Sequence, residues 1–433
     1  MSGNNKVINS SAAFADLGLS PLFLRPLEKR NITSPTEIQK QVIPKLLKGE
    51  SFIFQSATGT GKTFAYLLPI LEKIAGLLEE GREKKGEAGS VKSAPRGKPL
   101  FLIAAPTFEL CSQIKNEADF LIKGVSETTA SPVLIRTALL IGSAAVGRQI
   151  ETLKKERPEL VVGNPGRILA LSRLGKLKLD NIRFLVLDEG DRLVADELFD
   201  ETSEMVSLLG PPARTISGEE GSEGWILRAA CSATIPAKSR RRLNALFGLP
   251  EAAGIDDDSA RVLREKIEHW AFFSHERDKA DLLRSLIAAL RNAGPVKALI
   301  FCGRGAQVES ITARLMARKL PVAGLWGGME KTGRRQALDA FRSGKLPFLV
   351  TSDLAARGLD VPDISHVIAL DVSEDRDVYI HRAGRTARAG KGGVMISIGG
   401  EGEMRRLAAL EKNLGLTVYP KELYGGKILA PGE

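Results

Sequence analysis

The run Ser56-Ala57-Thr58-Gly59-Thr60-Gly61-Lys62-Thr63 puts glycines, a lysine and hydroxyls side by side, after the apolar stretch Ser51–Gln55 and before a helical pattern over Phe64–Leu78. A strand that turns sharply into a helix can aim several backbone N–H groups at one anion, and the helix adds its positive end. Gly59 and Gly61 permit the turn, because they accept backbone angles that a Cβ forbids. Lys62 then supplies a point charge between the outer phosphates of a nucleotide, and the Thr63 hydroxyl is a hard donor suited to Mg²⁺. The pattern is a P-loop with Ser56 in place of its first glycine. Such a loop needs a carboxylate at the end of another strand. Phe184-Leu185-Val186-Leu187-Asp188-Glu189 supplies it. Asp188 would act on the metal through water, and Glu189 would orient or deprotonate a second water. The implied reaction is in-line attack of water on a γ-phosphate.

The elements that must carry these residues are legible as alternation. Ser51–Gln55, Leu100–Ala105, Leu160–Val162, Phe184–Leu187 and Ile226–Cys231 read as buried strands, with helical stretches such as Glu109–Lys123 between them. The pattern resumes with Ala298–Cys302, Val322–Trp326, Phe348–Thr351, His366–Leu370 and Val394–Ile398. Alternation of this kind predicts an α/β chain, its mostly parallel sheets covered by helices on both faces. The apolar pattern stops near Gly248–Arg261, where Pro, Gly and acidic residues cluster. The expected organisation is a first domain over 1–250, a linker over 251–261 and a second domain over 262–433. Glu79–Lys98 and Pro211–Gly224 read as surface loops. Glu403–Leu414 reads as an amphipathic helix closing the second domain, followed by a short, mildly basic tail.

Composition narrows the function classes. The 433 residues hold Cys111, Cys231 and Cys302 and four histidines, without disulfide or zinc-ligand spacing. No apolar run approaches the ~20 residues of a membrane span. Met1–Ser11 lacks the apolar core of a signal peptide, which predicts a cytoplasmic protein with no membrane partner. Lys and Arg outnumber Asp and Glu by 62 to 52, a net charge of +10. That excess fits a polyanionic partner and equally a merely basic enzyme.

The sequence resembles the DEAD-box RNA helicases, superfamily 2 enzymes with two tandem RecA-like domains joined by a short hinge. Asp188-Glu189-Gly190-Asp191 resembles the motif that names the family, with glycine for alanine. Pro35-Thr36-Glu37-Ile38-Gln39 resembles the Q motif. Ser232-Ala233-Thr234, Thr351–Asp360 and His381–Gly390 resemble the motifs that follow it in the family. The resemblance implies ATP as the nucleotide, with Gln39 reading adenine and Phe14 stacking on it. It implies that Asp360 takes the ribose and that Arg385 and Arg388 are arginine fingers, a planar and permanent cation being suited to a transferring phosphoryl group. Asp191, Ser232, Thr234, Asp353, Arg357, His381 and Arg382 would couple hydrolysis to strand separation as the two domains close.

RNA would lie across both domains, held by phosphates and 2′-hydroxyls with little base reading. The resemblance implies contacts from Pro106, Thr107, Gly142, Pro165, Gly166 and Arg167 in the first domain, and from Arg304, Gly327, Arg334 and Thr351 in the second. Departures cluster on this side. Phe108 stands where the family has arginine, Ser143 where it has a second glycine, Asn164 where it has threonine, and Lys331 where it has glutamine. The sequence thus predicts an ATP-dependent RNA helicase with an altered RNA grip, in a setting such as ribosome assembly or RNA decay. An RNA clamp with little unwinding and a DNA helicase of the same superfamily are the rivals. In a salt titration, log affinity for RNA is expected to fall with log salt, and a slope near zero would remove phosphate contacts from the account.

Overall fold

The computed structural model describes residues 14–432 apart from Thr58, 87–98, 127–134, 211–225, 251–253, 257–258, Arg304, 357–360, Pro362 and 388–390. The chain divides into two compact units, the change falling between Asp257 and Asp258.

The first unit is built on β1 (Phe52–Gln55), β2 (Phe101–Ala104), β3 (Thr137–Leu140), β4 (Leu160–Gly163), β5 (Phe184–Asp188), β6 (Leu227–Ser232) and β7 (Gly254–Asp256). They form one parallel sheet in the order β3-β4-β2-β5-β6-β1-β7. Helices bury both faces. Phe52 and Phe54 join one core and Ile53 the other, so the strands read as continuous apolar runs rather than as alternation. Parallel pairing brings every strand's C-terminal end to one edge of the sheet, and both chemical motifs of the first unit lie there.

The second unit repeats the plan. It contains β8 (Ile267–Phe273), β9 (Ala298–Phe301), β10 (Val322–Leu325), β11 (Phe348–Thr351), β12 (His366–Ala369), β13 (Gly393–Gly399) and β14 (Val418–Pro420). Their order is β10-β11-β9-β12-β13-β8-β14, again all parallel. After β14 an antiparallel pair, β15 (Glu422–Tyr424) and β16 (Lys427–Leu429), packs Leu423 and Ile428 against the core. Among the covering helices are α1 (Glu37–Leu47), α2 (Lys62–Gly86), α3 (Phe108–Ser126), α4 (Pro165–Arg173), α5 (Gly190–Leu193), α6 (Asp353–Ala356), α7 (Arg376–Ala383) and α8 (Glu401–Leu414).

Two segments differ from the sequence reading. The stretch from Glu79, expected as loop, continues α2 to Gly86, and 87–98 lies outside the described residues, as does 211–224. Of the segment read as a linker, Gly254–Asp256 pairs with β1 at the sheet edge, and Ser259 already begins a helix. The tail, read only as short and mildly basic, forms a strand and a hairpin after Leu416. Among the described residues no helix is long and apolar enough to cross a membrane.

Two histidines stiffen the second unit. His269 of β8 is 2 % exposed. Its Nδ1 lies 2.7 Å from the Tyr379 hydroxyl of α7, and its Nε2 lies 3.0 Å from the Leu263 carbonyl. That carbonyl can only accept, so Nε2 carries the proton and Nδ1 accepts from the phenol. Burial holds His269 below the ordinary histidine value, against the Leu263 carbonyl and Glu411. Burial lowers His366 of β12 in the same way. Both rings therefore stay neutral when folded at a pH where the unfolded chain is already protonated. The stability they carry is complete above the ordinary value of about 6.5 and is lost as pH falls toward their lowered folded values. Urea unfolding followed by tryptophan fluorescence, to which Trp270 and Trp326 of the second unit contribute, is expected to show a lower midpoint at about pH 5.5 than at about pH 7.5. A flat midpoint across that range would refute the account.

Candidate active site

The phosphate loop is tied to the helix before it. Thr36 caps α1 reciprocally: its hydroxyl accepts from the Gln39 N–H, and the Gln39 Oε1 accepts from the Thr36 N–H at 3.0 Å. The same amide's Nε2 donates to the Gly61 carbonyl at 3.1 Å, and Gln39 is 2 % exposed. The residue expected to read adenine is here engaged at both ends of its amide, holding α1 against the loop. Gly59 and Gly61 have φ of 80° and 90°, the left-handed region. Lys62 Nζ reaches back to the Ser56 carbonyl at 2.6 Å. Ser56 is fully buried; its hydroxyl donates to Thr60 Oγ1 at 2.8 Å and its N–H to the Ser232 carbonyl at 3.0 Å. Ala57 is buried, and Thr58 lies outside the described residues. Phe14 is 2 % exposed and belongs to the apolar core with Ile38 and Val42.

Asp188 ends β5 and is 4 % exposed. Register sets its surroundings: Asp188 lies beside Cys231 of β6, whose Sγ is 3.2 Å from Oδ1. The Glu189 N–H donates to the same oxygen at 2.9 Å, and the Tyr66 hydroxyl of α2 donates to Oδ2 at 2.8 Å. Burial first, and Asp188 second, hold the Tyr66 and Cys231 groups well above their ordinary values, so both keep the protons they donate. Glu189 adopts φ 51°, ψ 49°, an uncommon conformation for a residue with a side chain. One turn on, the Asp191 carboxylate accepts from the Ser232 hydroxyl, joining the two motifs. Ser232 and Thr234 are buried. Asp188 and Thr63 offer hard oxygen donors of the kind Mg²⁺ takes beside phosphate and water. Among the described residues no group of His, Cys, Asp and Glu forms a self-sufficient metal cage.

At the ends of β2, β3 and β4 the loops are braced to one another. Asn164 Nδ2 donates to the Ala105 carbonyl at 2.8 Å. The Arg167 guanidinium donates to the carbonyls of Gly142 and Ala144 at 2.8 and 3.0 Å. Arg167, expected to grip RNA, is thus a strut for the Gly142 loop. Thr107 accepts from the Leu110 N–H at 3.2 Å and caps α3. Pro106 is half-buried, Pro165 buried, Gly142 exposed, and Phe108 is 44 % exposed. The Glu201 carboxylate lies against Gly166 at the start of α4, where a Cβ would fall 2.7 Å from its Oε2.

In the second unit Arg382 is the fixed point. It is 3 % exposed, pairs with both oxygens of Asp353 at 2.8 and 2.7 Å, and reaches the Asp371 carboxylate at 3.0 Å. Burial alone would lower its pKa; the bonds to Asp353 and Asp371 outweigh it and raise the value. This clamps α7 to the ends of β11 and β12. Arg385 follows α7 and is 8 % exposed, and His381 is half-buried. Arg334 donates to the Ala355 carbonyl of α6 at 3.3 Å, and Gly327 is exposed. Thr351 is fully buried and its hydroxyl turns to the Ser352 carbonyl at 3.2 Å. Arg304, Arg357, Asp360 and Arg388 lie outside the described residues.

Residues 36–243 match the DEAD/DEAH box helicase family and residues 278–390 the helicase conserved C-terminal domain. The DEAD-box ATP-dependent RNA helicase CshC of Bacillus cereus is 33% identical over 411 residues, 95% of this chain and 94% of that protein. The mitochondrial DEAD-box ATP-dependent RNA helicase 47 of Arabidopsis thaliana is 31% identical over 98% of this chain and 80% of its own length. The chain belongs to the DEAD-box RNA helicases. The fold agrees: S. cerevisiae Dbp5 bound to RNA and ADP BeF3 matches with a TM-score of 0.75 at 25% identity, covering 94% of this chain and 95% of that one. This DEAD-box protein is therefore an ATP-dependent RNA helicase, an enzyme that hydrolyses ATP, and its tandem parallel sheets are RecA-like.

Sequence reasoning passed over several residues of this helicase's site. Tyr66 was not singled out, although it stands one turn beyond Lys62 and Thr63 on the same helix face, a spacing that could have drawn attention to it. Cys231 had no signal, because strand register sets its role, and Asn164 showed only as a departure from the family's threonine, its bracing of the Ala105 carbonyl not being readable from the sequence. The glycines separate sharply in what they tolerate. At Gly61 a Cβ would come 2.4 Å from Gln39 Nε2, a buried group held at both ends, with φ already left-handed. Gly61→Ala is expected to weaken nucleotide binding at least about tenfold and to destabilise the first unit by about 2 kcal/mol. At Gly190 a Cβ would meet Ala230 and Leu243 at 3.4 and 3.5 Å, ordinary contact. Gly190→Ala is expected to leave ATPase unchanged and to shift stability by less than about 1 kcal/mol. Calorimetry and nucleotide titration of both variants check the contrast.

Proposed function

We propose that this helicase hydrolyses ATP with Lys62 on the outer phosphates, Thr63 and Asp188 holding Mg²⁺, and Glu189 orienting and deprotonating the attacking water. The observation that carries the reading is the buried Asp188 carboxylate, fixed by donors from α2, β6 and its own turn, with Glu189 beside it. When bound, Mg²⁺ would neutralise phosphate charge as the γ-phosphoryl is transferred. Ser56–Gly61 supply the backbone N–H cradle. Gln39 acts by holding α1 against that cradle as much as by reading adenine. Arg385 is the arginine finger; Arg388 and Asp360 keep the finger and ribose roles that the family resemblance gives them. Because Arg385 stands on the second unit and the P-loop on the first, its assistance requires the two units to close during the cycle.

We read the RNA contact as one through loop backbones. Arg167 is bonded to Gly142 and Ala144, and Phe108 brings no charge, so the surfaces at Pro106, Thr107, Gly142, Pro165 and Gly166 act through N–H groups and shape. Gly327, Arg334, Thr351 and Arg304 complete the second unit's share, Thr351 through its backbone alone. Asp191 with Ser232 and Thr234, and Arg382 with Asp353, Arg357 and His381, couple the nucleotide side of each unit to its RNA side. Binding of this kind is sequence-tolerant and suits structured RNA in ribosome assembly or RNA decay. Three buried free cysteines suit a reducing compartment, which supports a cytoplasmic setting. The exposed Phe108 and the engaged Arg167 also favour a second reading, an ATP-dependent RNA clamp with little unwinding. ATPase and RNA binding without duplex displacement would select it.

Steady-state ATPase with and without RNA tests the main reading. RNA is expected to stimulate the wild-type chain. Glu189→Gln is expected to lower kcat at least about 100-fold while nucleotide affinity stays within about threefold. Equal turnover in the variant would remove Glu189 as the base.

A further inference from the structure

We infer that Tyr66 is a positioning residue for the metal site: its phenol ties Asp188 to α2, the helix that carries Thr63, and sets the one carboxylate lone pair left for the ion or its water. The inference rests on the reading of Thr63 and Asp188 as the metal-holding pair.

Geometry carries it. Tyr66 is fully buried and lies three residues after Thr63 on α2, so both side chains fall on one face of the helix. The phenol donates to Asp188 Oδ2 at 2.8 Å. Thr63, on the same face one turn earlier, stands beside the phenol. The phenol–carboxylate bond thus joins α2 to the end of β5 between two buried groups. A carboxylate offers about four lone-pair positions. Glu189 N–H and Cys231 Sγ fill those of Oδ1. Tyr66 takes one of the two on Oδ2, which leaves one among the described residues. Rotation of the carboxylate would break the Tyr66 bond in a place where water cannot replace it, so the phenol fixes the direction of that last lone pair. Groups that stand behind metal ligands in this way set how tightly the metal is held.

The test is Tyr66→Phe in the full chain, which keeps the ring and removes only the hydroxyl; a cooperative thermal melt establishes that it folds. A fluorescent N-methylanthraniloyl ADP is titrated into wild type and variant in EDTA and across a Mg²⁺ series. In the wild type, Mg²⁺ is expected to tighten binding. In the variant, the Mg²⁺ concentration for half of that effect is expected to rise about tenfold. Affinity in EDTA is expected to stay within about twofold. An unchanged Mg²⁺ midpoint overturns the inference, as does an equal loss of affinity with and without Mg²⁺, which would make the phenol a mere wall of the nucleotide pocket. Wild-type affinity indifferent to Mg²⁺ would instead overturn the reading of Thr63 and Asp188 on which the inference stands.

Discussion

A carboxylate held almost wholly out of water is the constraint from which the first unit's chemistry follows. Burying an ionised group is costly unless every open lone pair finds a donor or a cation. Asp188 meets that demand with donors from separate elements: Tyr66 from α2, Cys231 from β6 and the Glu189 N–H from the turn that follows β5. Each donor fixes something else. The Cys231 contact requires β5 and β6 in their observed register, the Tyr66 contact requires α2 to leave β1 at one angle, and the turn contact goes with the left-handed backbone of Glu189. Asp188 is thereby held from three separate elements, the kind of bracing that electrostatic preorganisation requires.

The same economy of bonds runs through the loops beside the nucleotide side. Asn164 and Arg167 make bonds to neighbouring backbone carbonyls, so the ends of β2, β3 and β4 behave as one surface rather than as separate loops. In the second unit the pairing of Arg382 with Asp353 and Asp371 plays the matching part, joining α7 to two strand ends. Cations that look like ligand-binding groups in the sequence are in both units partly structural. The net charge of +10 therefore overstates how much positive side chain is turned toward a polyanion.

How much of this the sequence showed depended on whether the signal was local. The doubly buried strands β1, β2, β5, β9 and β11 read correctly because both faces are apolar. The turn from β1 into α2 and the strand end at Asp188 lie where the sequence put them, because glycines and an apolar run ending in a carboxylate are local signals. Short or mixed strands were missed: β3 alternates half-buried and buried residues, β7 hides in a Pro, Gly and acidic context, and β8 carries Glu268 and His269. The polar end of α2 read as loop because it has no apolar period. Side-chain direction was the least legible property. Phe14, Thr351 and Arg167 each had the right residue type for an open role. Phe14 packs into the core, the Thr351 hydroxyl turns to the neighbouring Ser352 carbonyl, and Arg167 spends its guanidinium on the carbonyls of Gly142 and Ala144.

The strand β14 bears on how the chain can be engineered. It covers the open side of β8, and the hairpin β15–β16 then lays Leu423 and Ile428 over the neighbouring core. A sheet edge left bare offers unpaired backbone groups to other chains. Trimming the protein after α8, a natural cut on sequence grounds, would uncover β8 and invite intermolecular pairing. A tag fused beyond the hairpin would leave that seal intact, so the final segment is a border of the fold and a poor place to shorten it.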